Sequence, residues 1–377
     1  MKIGIITFWD SEDNYGQLMQ CYASQHYLQS IGHEAFLIRY KHTSEYIPDR
    51  SLLTIIKKVI NPLIIYRKLN QIFMNKKKAF INNHILNHNV NRDFESFRKE
   101  HIKSTDIIYN QFDLKRNPPI CEILMCGSDQ IWASVPIDPI YFLDFGNNSQ
   151  KRVSLGASFG RKDFPETSLK ELKERLNKLD VITVREKDAI SICEQAGRFD
   201  SKMICDPTML NDVSHYDAIA EGIDANNKVF LYYLGHKTKV SVKKIIHFLE
   251  KEDYLYCASQ GAVNILPKVF PSIPKWLGDI KSARFIITNS FHGTVFSILF
   301  EKQFAVIPLE NVGANDRIET LLDQIGLSSR ICSNLDDLSL VMNERINYET
   351  IKPKIEKIRT LGQSVILEIL NQIKITK

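Results

Sequence analysis

The residue best suited to chemistry is His292, which lies between a short apolar run and an amphipathic segment. The run, residues 285–287, contains only aromatic and β-branched residues and predicts a buried strand. Beyond Gly293 the apolar residues recur at helical spacing, so we expect a core-facing helix with Asn289 or Ser290 as its N-cap.

Such a junction can bind an anion and transfer a proton. Free backbone N–H groups and the helix dipole favour negative charge at a helix start. A histidine there can donate a hydrogen bond or carry a proton, and Gly293 allows a close approach to the backbone. The simpler alternative is that His292 only caps its helix.

The elements before this junction alternate between strand and helix. Residues 2–8 are predicted to be a strand, residues 17–30 a helix and residues 33–40 a second strand. This βαβ unit implies a parallel sheet. Its first loop contains Asn14 and Gly16 but lacks the GxGxxG fingerprint, so a dinucleotide cofactor is not indicated.

The alternation resumes after an interruption by a basic helical insertion at about 50–103. We predict further strands at 123–126, 152–157, 181–184, 202–205, 229–234, 254–258, 304–307 and 329–332, and helices at 169–179, 188–195, 242–249, 318–325 and 354–373. The pattern predicts two Rossmann-like α/β lobes, residues 1–165 and 166–345, that face a cleft, followed by a closing helix over 346–377.

The composition is typical of a soluble globular protein, with 44% hydrophobic residues, 25% charged residues and a net charge of +5. No run approaches the roughly 20 apolar residues of a membrane span, and the first residues do not form a signal peptide. We therefore expect a cytoplasmic protein with no nucleic-acid partner. The seven cysteines are scattered without metal-binding spacing, so we expect buried thiols and no zinc site.

One segment has an unusual charge pattern. Residues 51–91 contain no acidic residue but seven lysines and arginines, beside apolar positions between 52 and 65. An apolar helix face bordered by basic residues can lie on an anionic membrane surface. The alternative is that this face packs on the N-terminal sheet and leaves the basic residues in solvent.

Six short motifs follow one another along the chain: NYG at 14–16, GSDQIW at 127–132, ASFG at 157–160, VRE at 184–186, DPT at 206–208 and NSFHGT at 289–294. In this order they resemble the polysaccharide pyruvyl transferase family, from the first strand to about Arg330. The resemblance implies a fold similar to the two-lobed GT-B glycosyltransferases. It also implies a reaction that moves the pyruvyl group of phosphoenolpyruvate (PEP) onto a sugar, commonly as a cyclic ketal across two hydroxyls.

The resemblance suggests a role for each motif. PEP carries a carboxylate and a phosphate, which suits the planar fork of Arg185. His292 is expected to be the general acid that protonates the methylene carbon of PEP. Asp129 is expected to orient or deprotonate an acceptor hydroxyl. The remaining predicted substrate contacts are Asn14, Gly16, Ser158, Ser290, Phe291, Gly293, Thr294 and Arg317.

Plainer explanations exist for several of these residues. Arg185 could pair with Glu186 on the surface, Asp129 could cap a helix, and the loop at 14–16 could be only a turn. No metal or cofactor is expected, because arginines and helix N–H groups can supply the positive charge.

One motif is also typical of a different class of enzyme. Residues 156–160 match GxSxG, the nucleophile elbow of α/β-hydrolases, but the polar stretch with Pro165 that follows cannot start the required helix. Two alternatives to pyruvyl transfer stay open. One is a GT-B-like glycosyltransferase that uses a nucleotide sugar, and the other is a non-catalytic protein of the same fold that binds a glycan or an anion.

Overall fold

The chain forms an α/β structure with two main parallel sheets. A computed structural model describes residues 1–12, 14–42, 92–222, 226–234, 237–260, 268–310 and 315–375. The basic segment 51–91, and with it most of the predicted insertion at 50–103, lies outside the described residues. None of the described helices has the length and apolar character to cross a membrane.

The first sheet has the strand order β2-β1-β3-β4. Its strands are β1 (Lys2–Ile6), β2 (Glu34–Leu37), β3 (Ile123–Cys126) and β4 (Lys151–Ser154), and all pairs are parallel. Two short paired strands, β5 (Thr183–Val184) and β6 (Lys202–Met203), continue beside β4 through single bridges. The predicted βαβ opening is confirmed, because helix α1 (Tyr15–Ser30) connects the parallel strands β1 and β2.

The second sheet has the order β11-β10-β7-β8-β9 and is also parallel. Its strands are β7 (Val229–Tyr233), β8 (Tyr256–Gln260), β9 (Lys268–Val269), β10 (Phe285–Thr288) and β11 (Phe304–Val306). The prediction of an α/β protein with two parallel sheets is therefore confirmed.

The described helices that follow α1 are α2 (Phe94–His101), α3 (Gln111–Arg116), α4 (Glu166–Leu176), α5 (Lys187–Gln195), α6 (Pro207–Leu210), α7 (Val213–Asp217), α8 (Val242–Lys251), α9 (Ile273–Ser282), α10 (Phe291–Leu299), α11 (Asp316–Ile325), α12 (Leu335–Asn343) and α13 (Tyr348–Ile375). The predicted helix at 354–373 is present but begins earlier, at Tyr348.

The predicted strand at 329–332 is wrong. Ser328–Arg330 forms a short 3₁₀ turn, and only Ile331 makes a single bridge, to Val306. The physical reason is Arg330, whose side chain is buried and donates hydrogen bonds to the carbonyl oxygens of Val341 and Glu344 at 3.0 Å each. The chain must turn to bring this guanidinium to the end of α12.

The hydrophobic residues form three cores, one of which both sheets share. Phe230 and Tyr232 of β7 point into the shared core together with Ile3 and Ile5 of β1, whereas Leu231 points into an outer core behind the second sheet. This alternation follows from the two-residue period of a strand. The outer core behind the first sheet includes α4 and α5 as far as Ala196, so it extends past the predicted division at residue 165.

Candidate active site

The start of α10 has the predicted cap. Ser290 is its N-cap, and the Ser290 hydroxyl accepts a hydrogen bond from the Gly293 N–H at 3.2 Å. Thr294 is fully buried and donates its hydroxyl to the Ser290 carbonyl at 3.0 Å. Asn289 instead hydrogen-bonds with the backbone N–H and C=O of Leu234, at 2.8 and 2.9 Å, and so ties the end of β10 to the end of β7.

Gly293 is required by packing inside the protein. A Cβ at this position would lie 2.5 Å from the Thr288 hydroxyl and 2.8 Å from the ring of Tyr232. The glycine therefore lets α10 rest directly on β7 and β10, and the close approach expected from the sequence is made by the chain itself. Substrate contact by Ser290, Gly293 and Thr294 stays a prediction.

His292 is buried between two distant segments. Its Nε2 lies 3.6 Å from Oδ2 of Asp206 and, within the described part of the chain, has no hydrogen-bond partner within 3.5 Å. On its other side is Gly16 of α1, where a Cβ would lie 2.2 Å from Nδ1 of the imidazole. Asn14 is the N-cap of α1 and accepts a hydrogen bond from the Gln17 N–H at 3.3 Å. The loop 14–16 thus positions the helix start that covers His292.

Asp206 was not among the predicted site residues, although it lies within one of the six motifs. Its Oδ1 accepts hydrogen bonds from the backbone N–H and the hydroxyl of Thr208, at 3.0 and 2.6 Å. Its Oδ2 accepts one from Arg185 Nη1 and one from the Ser128 hydroxyl, the latter at 3.3 Å. Burial favours the neutral acid, but the charges of His292 and Arg185 and these hydrogen bonds outweigh it and hold the pKa of Asp206 well below its usual range.

Two arginines converge on one carboxylate oxygen. Arg185, directly after β5, places Nη2 at 3.4 Å from Asp129 Oδ1, and Arg317, in the first turn of α11, places Nη1 at 3.4 Å from the same oxygen. Both guanidinium groups contact the ring of Phe291, with their carbons 4.5 and 5.4 Å from its centroid. The structure therefore brings together five predicted residues, Arg185, Arg317, Asp129, Phe291 and His292.

The arginines remain strong candidates for an anion site. Burial and then the like charge of Arg185 lower the pKa of Arg317 to about 10. Burial also opposes the charge of Arg185, but Asp206, Asp129 and Glu186 outweigh it and raise the pKa of Arg185. The Nε atoms of both arginines are buried and have no hydrogen-bond partner among the residues that the structure describes. Two cations with unused donors can serve an anionic ligand.

Two of the plainer explanations are wrong. Arg185 does not form a surface pair with Glu186, because its side chain is only 2% exposed and forms ion pairs with Asp129 and Asp206. Asp129 does not begin a helix, because it adopts a left-handed φ of 68° in a turn. Glu186 is also buried and accepts a hydrogen bond from the Phe159 N–H at 3.1 Å. Burial raises the pKa of Glu186, against the charges of Arg185 and Arg317.

Ser158 is fully buried and fixes the loop that carries Asp129. Its backbone N–H donates to the Asp129 carbonyl at 3.0 Å, and its hydroxyl accepts from the Gly160 N–H at 3.1 Å. No helix follows Ser158 before Glu166, so the context of a hydrolase elbow is missing. Contact of Ser158 with a substrate stays a prediction.

A small cavity of about 50 Å³ borders the arginine pair. One side is polar and is formed by Arg185, Asp206 and Arg317 beside Phe291; the other is mainly apolar and includes Met203, Ile204, Met209, Leu321, Ile358 and Leu361. Within the described ranges, no group of three histidines, cysteines or acidic residues could hold a metal ion.

A sequence model of the polysaccharide pyruvyl transferase family matches residues 14–311, which is most of the chain. The chain belongs to the polysaccharide pyruvyl transferase family. The matched region includes Gly16, Asp129, Arg185, Asp206 and His292. It ends before Arg317, the second arginine of the pair.

No curated protein sequence matches this family member significantly. Among solved structures, it is similar to an α-glucosyltransferase in complex with UDP and DNA, with a TM-score of 0.46, 11% identity and 100% of each chain covered. It is also similar to Anabaena HepE in complex with UDP and glucose, with a TM-score of 0.46, 8% identity, and 98% of this chain and 100% of the other covered.

A third similar structure is UDP-GlcNAc 2-epimerase from Neisseria meningitidis bound to UDP-GlcNAc. Its TM-score is 0.45 at 9% identity, with 99% of this chain and 100% of the other covered. Likeness at this level does not extend to the donor or acceptor of this pyruvyl transferase.

Proposed function

We propose that this pyruvyl transferase takes its pyruvyl group from PEP and transfers it to sugar hydroxyls of a polysaccharide or a lipid-linked glycan. The observation that carries the proposal is the arginine pair. Arg185 and Arg317 converge over Phe291, and the Asp206 carboxylate connects Arg185 to His292. A donor with two anionic groups needs such cations, and its reaction needs an acid next to them.

The proposed reaction begins at the methylene carbon of PEP. His292 donates a proton, and the electron pair of the carbon–carbon double bond forms the new C–H bond. The adjacent carbon becomes cation-like and is attacked by a sugar hydroxyl oxygen. Phosphate then leaves with the electrons of its C–O bond, and a second hydroxyl oxygen closes the ketal. Of the two hydroxyl protons, one restores His292 and the other leaves with phosphate.

Asp206 supports His292 in this scheme. In this scheme the buried carboxylate, 3.6 Å from Nε2, holds the imidazole in its orientation. Acceptor recognition is proposed for the N-terminal lobe, on the side of the cleft formed by Asn14, Gly16 and Asp129.

Turnover in deuterated water tests the donor and the site of protonation together. The protein is incubated with PEP and a panel of glycans, and phosphate release and the mass of the glycan product are measured. We expect phosphate release that depends on acceptor, and one deuterium in the methyl group of the ketal. A His292→Asn protein is the matched control. Consumption of a UDP-sugar with PEP untouched, or binding of glycans without any reaction, would contradict the proposal.

A further inference from the structure

The carboxylate of Asp129 occupies a position that suits an anionic ligand. Its Oδ1 lies 3.4 Å from Arg185 Nη2 and 3.4 Å from Arg317 Nη1, and the Asp129 side chain is only 8% exposed. Arg185 directly follows β5 and Arg317 lies in α11, and the two side chains meet at this oxygen and at the ring of Phe291. An arginine pair that clasps one carboxylate is the arrangement that proteins use for carboxylate ligands.

The charges around this oxygen leave little attraction for a further anion. Arg185 and Arg317 carry two positive charges, and Asp129 and Asp206 pair with them through two negative ones. Beyond this group, the buried Glu186 lies near both arginines, and His292 lies 3.6 Å from Asp206. A ligand that brings its own carboxylate would therefore add unbalanced negative charge to a buried site, which is costly. One of the two resident carboxylates has to move away for such a ligand to bind well.

Asp129 is the one free to move. Asp206 is held by Thr208, Ser128 and Arg185, with hydrogen bonds to both of its oxygens. Among the residues that the structure describes, the Asp129 carboxylate forms ion pairs and hydrogen bonds with the two guanidinium groups alone. Both distances exceed the 2.7–2.9 Å or so typical of a strong charge-assisted hydrogen bond.

The backbone of Asp129 would stay in place during this movement. Its carbonyl accepts a hydrogen bond from the Ser158 N–H at 3.0 Å, and the N–H of the preceding Ser128 donates to Gln20 Oε1 at 3.0 Å. A rotation of the Asp129 side chain is therefore enough to release the arginines.

We propose that Asp129 is a built-in substitute for the carboxylate of the donor, which displaces the Asp129 side chain from Arg185 and Arg317 when it binds. The identity of that ligand rests on the proposed function, whereas the competition between two carboxylates does not. Displacement also frees the Asp129 carboxylate to accept a hydrogen bond from an acceptor hydroxyl and so to orient it. Donor binding would then precede acceptor activation.

Direct titration with oxalate, a small dicarboxylate, tests the competition without turnover. Asp129→Asn keeps the shape of the side chain but removes its charge, so the side chain no longer competes with the ligand for the two arginines. Oxalate should therefore bind this variant about 10-fold more tightly than the unaltered protein. The affinity for inorganic phosphate should increase less than the affinity for oxalate. The matched control is Asp144→Asn, which removes a carboxylate paired with Arg175 at 2.6 Å outside the site and should leave oxalate affinity unchanged.

Equal or weaker oxalate binding by Asp129→Asn would overturn the proposal, and so would the absence of oxalate binding in all proteins. Asp129→Ser serves as a second variant if Asp129→Asn does not fold, with thermal unfolding as the check, and the same gain is expected. If PEP is not a substrate, phosphate release fails in the turnover assay while the gain in oxalate affinity persists. The use of PEP as donor and the displacement of Asp129 can therefore be contradicted independently of each other.

Discussion

At the scale of single residues, His292 depends on partners that are far away in the chain. Gly16 covers one side of the imidazole, and Asp206 lies 3.6 Å from Nε2 on the other. Substitution of His292 removes the imidazole, substitution of Asp206 removes a neighbouring negative charge, and a larger residue at position 16 displaces the ring.

Replacing His292 removes the proposed acid. We expect His292→Asn to lower turnover on the order of 10²-fold or more, because general acid catalysis contributes that much. The affinity for PEP should change less than the rate, since Arg185 and Arg317 remain. Steady-state phosphate release measures both quantities. Near-normal turnover in a folded His292→Asn protein would assign the acid to another residue.

Arg185→Lys separates charge from geometry. Lysine keeps the positive charge but loses the fork that reaches both Asp206 and Asp129. The Michaelis constant for PEP should rise about tenfold, which corresponds to the loss of roughly 1.4 kcal/mol. Arg175→Lys, in the partly buried pair with Asp144 outside the site, is the control. If the Michaelis constant for PEP stayed unchanged while the affinity for the acceptor fell, Arg185 would be assigned to acceptor binding.

Gly16→Ala tests the contact between α1 and His292. The added methyl group would lie 2.2 Å from Nδ1, so the imidazole or the helix must shift. We expect lower turnover and a loss of about 1–3 kcal/mol in the free energy of unfolding, as for other overpacked cores. Ser30→Ala in the last turn of the same helix is the control. Normal rate and stability in Gly16→Ala would show that the contact has no role.

The sequence predicted the types of residue in the site better than their partners. His292 and Arg185 could be found because each follows a short apolar strand, where ligands commonly bind. Asp206 was assigned to the motif at 206–208 but was given no role of its own, since its contacts to Arg185 and His292 join positions 21 and 86 residues apart. Pairings of this kind depend on the packing of three segments, which no local pattern encodes.

At the scale of elements, α1, α2 and α7 meet in a group of histidines. The rings of His26 and His215 stack with their centroids 3.5 Å apart, and Tyr22 hydrogen-bonds to His215. His101 of α2 packs against the same tyrosine at 5.8 Å. Burial and, to a smaller extent, the charges of His26 and His101 together lower the pKa of His215 to about 4.

This group predicts a loss of stability in acid. The unfolded chain binds a proton at the ordinary histidine pKa of about 6.5, whereas folded His215 does so only at about 4. The unfolded state therefore binds more protons in this window, and stability falls as the pH drops from 6.5 towards 4. His215→Gln should flatten this fall in denaturant titrations at several pH values. His247→Gln, at an exposed position of α8, is the control; equal slopes in both variants would contradict the prediction.

Regular elements were predictable where their periodicity was clear, and less so elsewhere. The strands β3 and β10 and the helix α11 begin and end within about two residues of the bounds that their apolar patterns predicted. Helix α9 was not predicted, because Pro274 and Gly278 interrupt its pattern. Pro274 occupies the helix start, where proline is favoured, and Gly278 packs so closely on Glu221 that a Cβ would lie 2.0 Å from its carbonyl oxygen.

At the scale of the whole molecule, the basic segment 51–91 remains a prediction from sequence. Its seven basic residues suggest binding to anionic membranes, at about 1 kcal/mol per cation near the surface. The protein should sediment with anionic liposomes at low salt and less at high salt. Joint substitution of Lys76, Lys77 and Lys78 by glutamate should abolish binding without unfolding. No sedimentation at low salt would leave the segment as an ordinary solvated surface.

The division into lobes was only partly readable from the sequence. The alternation of strands and helices predicted two parallel sheets, but it could not show that both contribute to one core. Tyr15 of α1 illustrates this, because it stacks on Trp276 of α9 at 5.1 Å and donates a hydrogen bond to the Pro271 carbonyl at 2.8 Å. Contacts of this kind join residues more than 250 positions apart and follow from the assembled fold.

The shared core also limits how enzymes of this kind can diversify. A lobe transplanted from a relative would bring its own half of the core, and Tyr15 or Phe230 would then face side chains of the wrong size. Each mismatch leaves a void that costs about 24 cal/mol per Å³ or an overlap that must be relieved. Chimaeras made by exchanging whole lobes should therefore be poorly stable. Substitutions in exposed loops, by contrast, would leave the common core intact.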